Sequence, residues 1–422
     1  MMPAEGAPGA TAHRTRAIAA LIVTYAFFGI LLNSVGTVIL QSIATMGVDA
    51  RNAAVLEAFK DLPIAVVSFA LASLLPRFGY RRAMIFGIAG AAVGCAMMPL
   101  APSFATTKLL FLLIGSSFAL VKTGTYATIG LLTETPREHA ALTNLIEGLF
   151  MVGVLSGYWV FAYFIDARAP GSLGWLNVYW LLLAVALLDI VLLLASPIDE
   201  RQALAPVSNG VKDDIAQMLG LLASTTVATF VISAFVYVLI EQSVGTWLPT
   251  FNAKVLHLSQ PMSIQAASVY AAMLAVGRLL AGPLIRRTGW LPLLLGCVAG
   301  IIMVVLVAVP MATAHPPRVI VDWRDAPLAT YAMPLIGLFL APIYPTINSA
   351  ILSSLPRTRQ AAMTGLIIVF SALGGTSGSF VTGRVFAAFG GLTAFQLIVL
   401  PSAVLGLLLI WLRRQLARTA AR

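Results

Sequence analysis

Lys122 sits in the stretch FALVKTGTYATIG, with no other charge between Lys108 and Glu134. An ammonium in so apolar a run has two chemical uses. It can pair with an internal carboxylate, and Glu147 in the next apolar run is the natural candidate. It can instead meet an anionic group on a ligand, leaving Glu147 to alternate between pairing and protonation. A buried carboxylate beside an exchangeable cation responds to ligand binding in this way, as symport or antiport requires. A second carboxylate, Glu241, lies in FVYVLIEQSVGTWLPTF, close to Tyr237, Gln242 and Trp247. These supply phenol, amide and indole surface to a polar solute. Asn33, Gln41, Tyr126, Tyr344 and Asn348 add uncharged donors and acceptors in other apolar runs. Together they suit a hydrophilic ligand better than an apolar one. Each also has a structural use: amides tie helices together, and an aromatic near the end of a run anchors it at an interface.

The elements that carry these groups follow from composition. Of 422 residues, 59% are hydrophobic and 10% are charged, against about 25% charged in a soluble domain. Mean hydropathy is +0.94. Apolar runs of roughly 20 residues recur, long enough to cross a ~30 Å hydrocarbon core as helix. Their length and continuity indicate helices rather than barrel strands. Twelve spans fit: 17–44, 51–75, 82–101, 106–133, 140–165, 175–196, 218–250, 262–285, 290–312, 327–354, 360–386 and 392–412. The net charge of +10 reports topology. With the amino terminus in the cytosol, sixteen Lys/Arg fall in cytosolic segments and six in external loops, the positive-inside bias. Nucleic acid is therefore not an expected partner. Both termini are expected in the cytosol, and the membrane is expected to be a bacterial inner membrane. The amino terminus lacks a signal-peptide pattern. Cys95 and Cys297 are lone thiols in apolar runs and form no disulfide or metal framework.

The chain repeats itself. AALTNLIEGLFMVGVLSG from Ala140 and AAMTGLIIVFSALGGTSG from Ala361 share eight of eighteen residues at an offset of 221. Just before them, PREH echoes PRTR, and RFGYRR from Arg77 echoes RTGWLP from Arg287. Such repeats mark a transporter architecture of two six-helix halves. The expected domains are an amino-terminal bundle over 1–198, a cytosolic linker over 199–217 and a carboxy-terminal bundle over 218–422. Glu147 falls opposite Ile368, and Lys122 opposite Pro342. The shared fold therefore requires neither charge.

Other buried polar residues receive structural expectations. Glu57, Lys60 and Asp61 share one face of the second span at i, i+3 and i+4. Near the external end they should form a partly solvated network, structural or gating. Asp189, in a peripheral span, should be structural. There is no phosphate-binding loop for an ATP-driven pump, no H-E-x-x-H and no Cys/His cluster. The chain is not expected to be an enzyme or to hold a cofactor or metal.

These features resemble the major facilitator superfamily. PRFGYRR between the second and third spans is similar to that superfamily's loop signature, without its acidic residue. GRLLAGPLIRRTG from Gly277 resembles the partner signature, so Arg77, Arg81, Arg278 and Arg287 are expected to serve gating. FVYVLIEQSVGTWLPTF and GLFLAPIYPTINSAIL resemble helices seven and ten of the fucose:proton symporter family. That resemblance implies helices one, four, seven and ten around a central cavity, with Lys122 on helix four, roughly 12 residues or ~18 Å from the cytosolic end. A mid-membrane Lys costs about 2.5–3.5 kcal/mol on insertion scales. Where the family has Asn-Asp in helix one, this chain has Asn33-Ser34. Where it has an acid in helix four, this chain has Lys122. Proton coupling therefore falls to Glu147 or Glu241.

The sequence thus predicts an all-α integral membrane protein of twelve transmembrane helices in two pseudo-symmetric bundles. It should be a monomeric secondary transporter moving a small polar solute, a sugar or organic anion, by alternating access with a proton as coupling ion. The bilayer is its other partner. The alternatives are a proton-driven exporter of a metabolite or drug, and a non-transporting receptor or scaffold.

Overall fold

The computed structural model describes residues 8–72, 79–196, 200, 211–312 and 318–420. Its helices, in chain order, are α1 (Pro8–Asn33), α2 (Val35–Thr45), α3 (Ala50–Ala53), α4 (Val55–Ala72), α5 (Tyr80–Leu100), α6 (Phe104–Leu132), α7 (Pro136–Tyr163) and α8 (Val178–Leu194). They continue as α9 (Val211–Leu221), α10 (Thr225–Gly245), α11 (Leu248–Lys254), α12 (Gln260–Thr288), α13 (Trp290–Met311), α14 (Leu328–Ala332), α15 (Leu335–Leu340), α16 (Ile343–Ser354), α17 (Arg357–Gln396) and α18 (Val399–Ala420). No sheet forms among the described residues; one isolated bridge joins Leu258 and Ile320.

Eleven helical stretches among the described residues are long and apolar enough to cross a membrane. The remaining expected span is α4. It carries Glu57, Lys60 and Asp61 in its first turns, and its described part ends at Ala72. The expected spans differ from the observed helices at breaks. The first is interrupted at Ser34, between α1 and α2. The tenth divides at Pro334 and Pro342, which stand at the N-caps of α15 and α16. Proline has no N–H to continue the preceding helix. The eleventh runs on to Gln396 past a kink at Gly390, φ 83°, and the twelfth starts later, at Val399. Of the expected linker, 199 and 201–210 lie outside the described residues; its end is already helical in α9.

The chain divides into two compact units. Unit 1 takes residues 1–33, 63–157 and 175–211; unit 2 takes 34–62, 158–174 and 212–422. In unit 1, α5 packs along α6 and α8, and Phe27, Phe28, Phe111 and Tyr179 fill the core. In unit 2, α10 packs on α17 and α18, with Trp247, Phe251 and Phe395 buried; the last two rings lie 4.3 Å apart. Many large apolar side chains remain outside the protein core, Phe389 and Leu407 among them, as expected of surfaces solvated by lipid.

The sequence repeat has a physical counterpart. In unit 1 a Cβ on Gly153 would lie 2.2 Å from the carbonyl oxygen of Ala26, and one on Gly157 would lie 3.3 Å from Ile30. In unit 2 a Cβ on Gly374 would lie 2.4 Å from the carbonyl oxygen of Phe235, and one on Gly378 2.3 Å from that of Leu239. Gly374 and Gly378 follow Gly153 and Gly157 by the same offset of 221, and Phe235 and Leu239 follow Ala26 and Ile30 by 209. In both units, missing side chains four residues apart let one helix lie directly on another's backbone, the small-xxx-small contact of membrane helices.

Candidate functional site

Seven of the predicted polar residues fall into two patches, Lys122, Tyr126 and Glu147 in unit 1 and Tyr237, Glu241, Tyr344 and Asn348 in unit 2. The unit 1 patch is built on α6 and α7. Tyr126 and Lys122, one turn apart on α6, are both exposed. The Tyr126 hydroxyl donates to Glu147 Oε1 on α7. The Lys122 ammonium lies 5.8 Å from the centre of the Phe118 ring, a cation–π contact. Lys122 has no carboxylate partner among the described residues. The predicted Lys122–Glu147 pair is therefore not formed, because tyrosine takes the carboxylate instead. Aromatic rings border the patch: Tyr25 lies 6.4 Å from Tyr126 and 6.0 Å from Phe150, and Phe118 6.2 Å from Phe150. Asn33, at the exposed end of α1, turns its amide back to the Gly29 carbonyl at 3.1 Å.

The unit 2 patch is built on α10, α16 and α17. Tyr237 donates to Glu241 Oε1 at 3.1 Å, one turn along α10. Its ring stacks on Tyr344, with centroids 5.2 Å apart and planes at 24°. Tyr344 shares a 2.9 Å hydrogen bond with Ser371. One turn further along α16, Asn348 Oδ1 is buried and has no hydrogen-bond partner. A buried acceptor left unmet costs about 1–3 kcal/mol, which a hydroxylated ligand can recover. The patch thus gathers a carboxylate, two phenols and an amide; Tyr237 is itself buried at 1% exposure, and Tyr344 is the ring that is partly exposed.

Three other predicted ligands are engaged elsewhere in unit 2. Trp247 is fully buried and donates from Nε1 to Ser379, 3.1 Å from both its carbonyl and hydroxyl oxygens. It is a packing residue here, neither a ligand nor an interfacial anchor. Gln41 is buried and donates to Gln260 at 3.0 Å. Gln242 accepts from Thr246 at 3.0 Å.

The charged face of α4 is more enclosed at Glu57 and Lys60 than at Asp61. Glu57 and Lys60 are 0% and 7% exposed, so two of the three charges are shut away, while the Asp61 side chain keeps 13% exposure. Lys60 pairs with Glu57 Oε1, and lies 3.4 Å from Asp61 Oδ1. Thr246, on the 3.0 Å contact to Glu57 Oε2, closes the other side. All these groups belong to unit 2. Buried charges persist only when paired and hydrogen-bonded, and the single ammonium serves both carboxylates. Asp189 is buried in unit 1, accepting from Thr24 at 2.8 Å, in keeping with a structural role.

Among the predicted gating arginines, Arg77 lies outside the described residues. Arg81 donates from Nε to the Leu193 carbonyl at 2.8 Å and from Nη2 to the Leu194 carbonyl at 2.6 Å. It thereby caps the end of α8, where a cation meets the negative end of the helix dipole. Arg278 and Arg287 are exposed on the last turns of α12. One residue escaped sequence reasoning: Glu200 accepts from the backbone N–H of Tyr80 at 3.1 Å and of Arg81 at 2.6 Å. A carboxylate from the linker thus caps the start of α5. The loop signature's missing acid was the available hint, since the two orphan N–H groups there need an acceptor.

Comparison with known proteins places these features in a family. The sequence model of the Major Facilitator Superfamily matches residues 17–379. A glucose/galactose transporter of Brucella abortus biovar 1 (strain 9-941) is 26% identical over 352 residues, 79% of each chain. Among solved structures, a bacterial homolog of the human lysosomal transporter Spinster superposes with TM-score 0.78 at 13% identity, over 96% of this chain and 98% of that one. The fucose:proton symporter FucP superposes with TM-score 0.59 at 16% identity, over 95% and 99%. With a match across most of its length and the same all-helical fold, this chain belongs to the Major Facilitator Superfamily, a family of membrane transporters rather than enzymes.

Proposed function

We propose that this protein is a secondary transporter of a small hydroxyl-rich solute of the hexose class, working by alternating access and coupled to protons in a bacterial inner membrane. The observation that carries the proposal is the unmet Asn348 Oδ1, in the patch formed by Glu241, Tyr237 and Tyr344. A sugar presents several donors to such acceptors and an apolar ring face to Tyr344, the partly exposed member of the stacked pair. The glucose/galactose transporter, at 26% identity, supports the same solute class. Glu147 is the proposed proton carrier. It is a half-exposed carboxylate held by a phenol and not by an ammonium, so protonation leaves no cation stranded.

A second solute class has its own support. Lys122 presents an ammonium with no carboxylate partner among the described residues, which favours a solute with an acidic group, such as a sugar acid. Purified protein in liposomes, offered glucose, galactose, galacturonate and gluconate with and without an inward proton gradient, separates the two. Hexose accumulation that needs the gradient is the expected result. Accumulation of the sugar acids alone selects the second class. Gradient-independent entry of every solute contradicts proton coupling.

A further inference from the structure

Between α12, α13 and α15 lies a cavity of about 340 Å³. Leu280 and Leu284 of α12, Leu293 of α13 and Phe339 of α15 form its walls. Gly296 of α13 makes its depth, since nothing lies within 4 Å of where a Cβ would stand there. The walls offer almost no hydrogen bonding. Thr288, at one end, turns its hydroxyl back to the Leu284 carbonyl at 3.0 Å. A sugar therefore has nothing to bind here. Leu280 and Leu284 are 48% and 39% exposed, so the groove opens sideways along the second half of α12, whose first half is largely buried.

Two further features select an occupant. The groove runs along α12 from Gly277 to Thr288, eleven residues or about 17 Å at 1.5 Å each. That is roughly half of a ~30 Å hydrocarbon core, the depth of one leaflet. At its Thr288 end α12 stops: Gly289 takes φ 80°, and Trp290 follows at the level where indoles anchor helices in the headgroup region. Arg286 and Arg287 are exposed in this last turn. Basic groups beside a pocket between transmembrane helices attract anionic headgroups.

We propose that this groove is a binding site for an anionic membrane phospholipid, with one acyl chain against Gly296 and the phosphate toward Arg287, which flanks the line of Leu284 and Thr288 on α12, whereas Arg286 stands on the opposite face. The full-length protein in detergent, doped with equal phosphatidylglycerol and phosphatidylcholine and weighed by native mass spectrometry, tests it. The wild type should retain phosphatidylglycerol at least fivefold over phosphatidylcholine. The Arg287→Gln variant should lose the preference, and Gly296→Phe should retain neither lipid. Equal retention and preference in all three would overturn the proposal. Because Gly296→Phe can disturb packing, a second measurement leaves the groove intact. Cys297 lines it, so in a Cys95→Ser background phosphatidylglycerol should slow maleimide labelling of Cys297 at least threefold. Labelling unchanged by phosphatidylglycerol, or slowed equally by phosphatidylcholine, contradicts the site.

Discussion

Replacing Lys60 with methionine is the sharpest test of the packing described for α4. The side chain keeps its length and apolar stem but loses the ammonium that serves Glu57 and Asp61. At 3.4 Å and an effective dielectric constant of about 20, the Lys60–Asp61 attraction alone is about 5 kcal/mol. Desolvation of the ions offsets much of this, so the gross attraction is not the net effect. What decides the outcome is that Glu57 stays fully buried, with only the Thr246 hydroxyl on Oε2. Stranding a buried charge in this way costs about 3–5 kcal/mol. The triple variant Glu57→Gln/Lys60→Met/Asp61→Asn removes all three charges and should regain most of that loss, since replacing a whole buried ion network is often neutral. Denaturation midpoints in one detergent at neutral pH compare the three proteins. The reasoning fails if Lys60→Met matches the wild type, or if the triple variant is as damaged as the single one.

Other consequences are equally open to measurement. Gly153→Leu and Gly374→Leu should each cost about 3 kcal/mol or more, the upper end for overpacking, because the obstacle is a backbone carbonyl that cannot rotate away; melting within 0.5 kcal/mol of wild type would contradict the matched contacts. Lys122→Ala should abolish uptake of galacturonate and gluconate with the yield of folded protein unchanged, because the ammonium makes no ion pair among the described residues; full sugar-acid uptake by that variant removes Lys122 from the solute's path. Asn348→Ala should weaken solute affinity about tenfold, the size of one hydrogen bond to a neutral group. The loss of stability should be limited to the one side-chain contact with Tyr344, because Oδ1 bonds nothing in the protein; unchanged affinity by equilibrium binding removes Asn348 from the site.

Hydrophobic length and the internal repeat made the fold legible before any coordinates. Both depend on summed properties of eighteen or more residues, which neighbours cannot overturn. The glycines of the repeat were visible as small residues, and the structure shows which backbone each admits. Finer points depended on partners distant in sequence. Nothing local to Lys122 reveals that Tyr126 claims Glu147 first. The α4 charges look amphipathic by spacing, but Thr246, 189 residues away, closes over Glu57. Trp247 resembled an interfacial anchor by position until Ser379 met its N–H. Breaks at Ser34, Pro334 and Pro342 lower the hydropathy of a window too little to interrupt it, so spans one and ten read as continuous. Glu200 sat in a charged linker where many acids are simply solvated.

The most direct test of the transport account is proton movement driven by solute. Proteoliposomes loaded with a pH-sensitive dye, without an imposed gradient, receive external galactose and radiolabelled galactose in parallel samples. The account predicts that galactose entry through the wild type acidifies the lumen, and that Glu147→Gln still equilibrates the labelled sugar with no change in lumen pH. Sugar entry through the wild type with a constant lumen pH, or lumen acidification undiminished in Glu147→Gln, would contradict it.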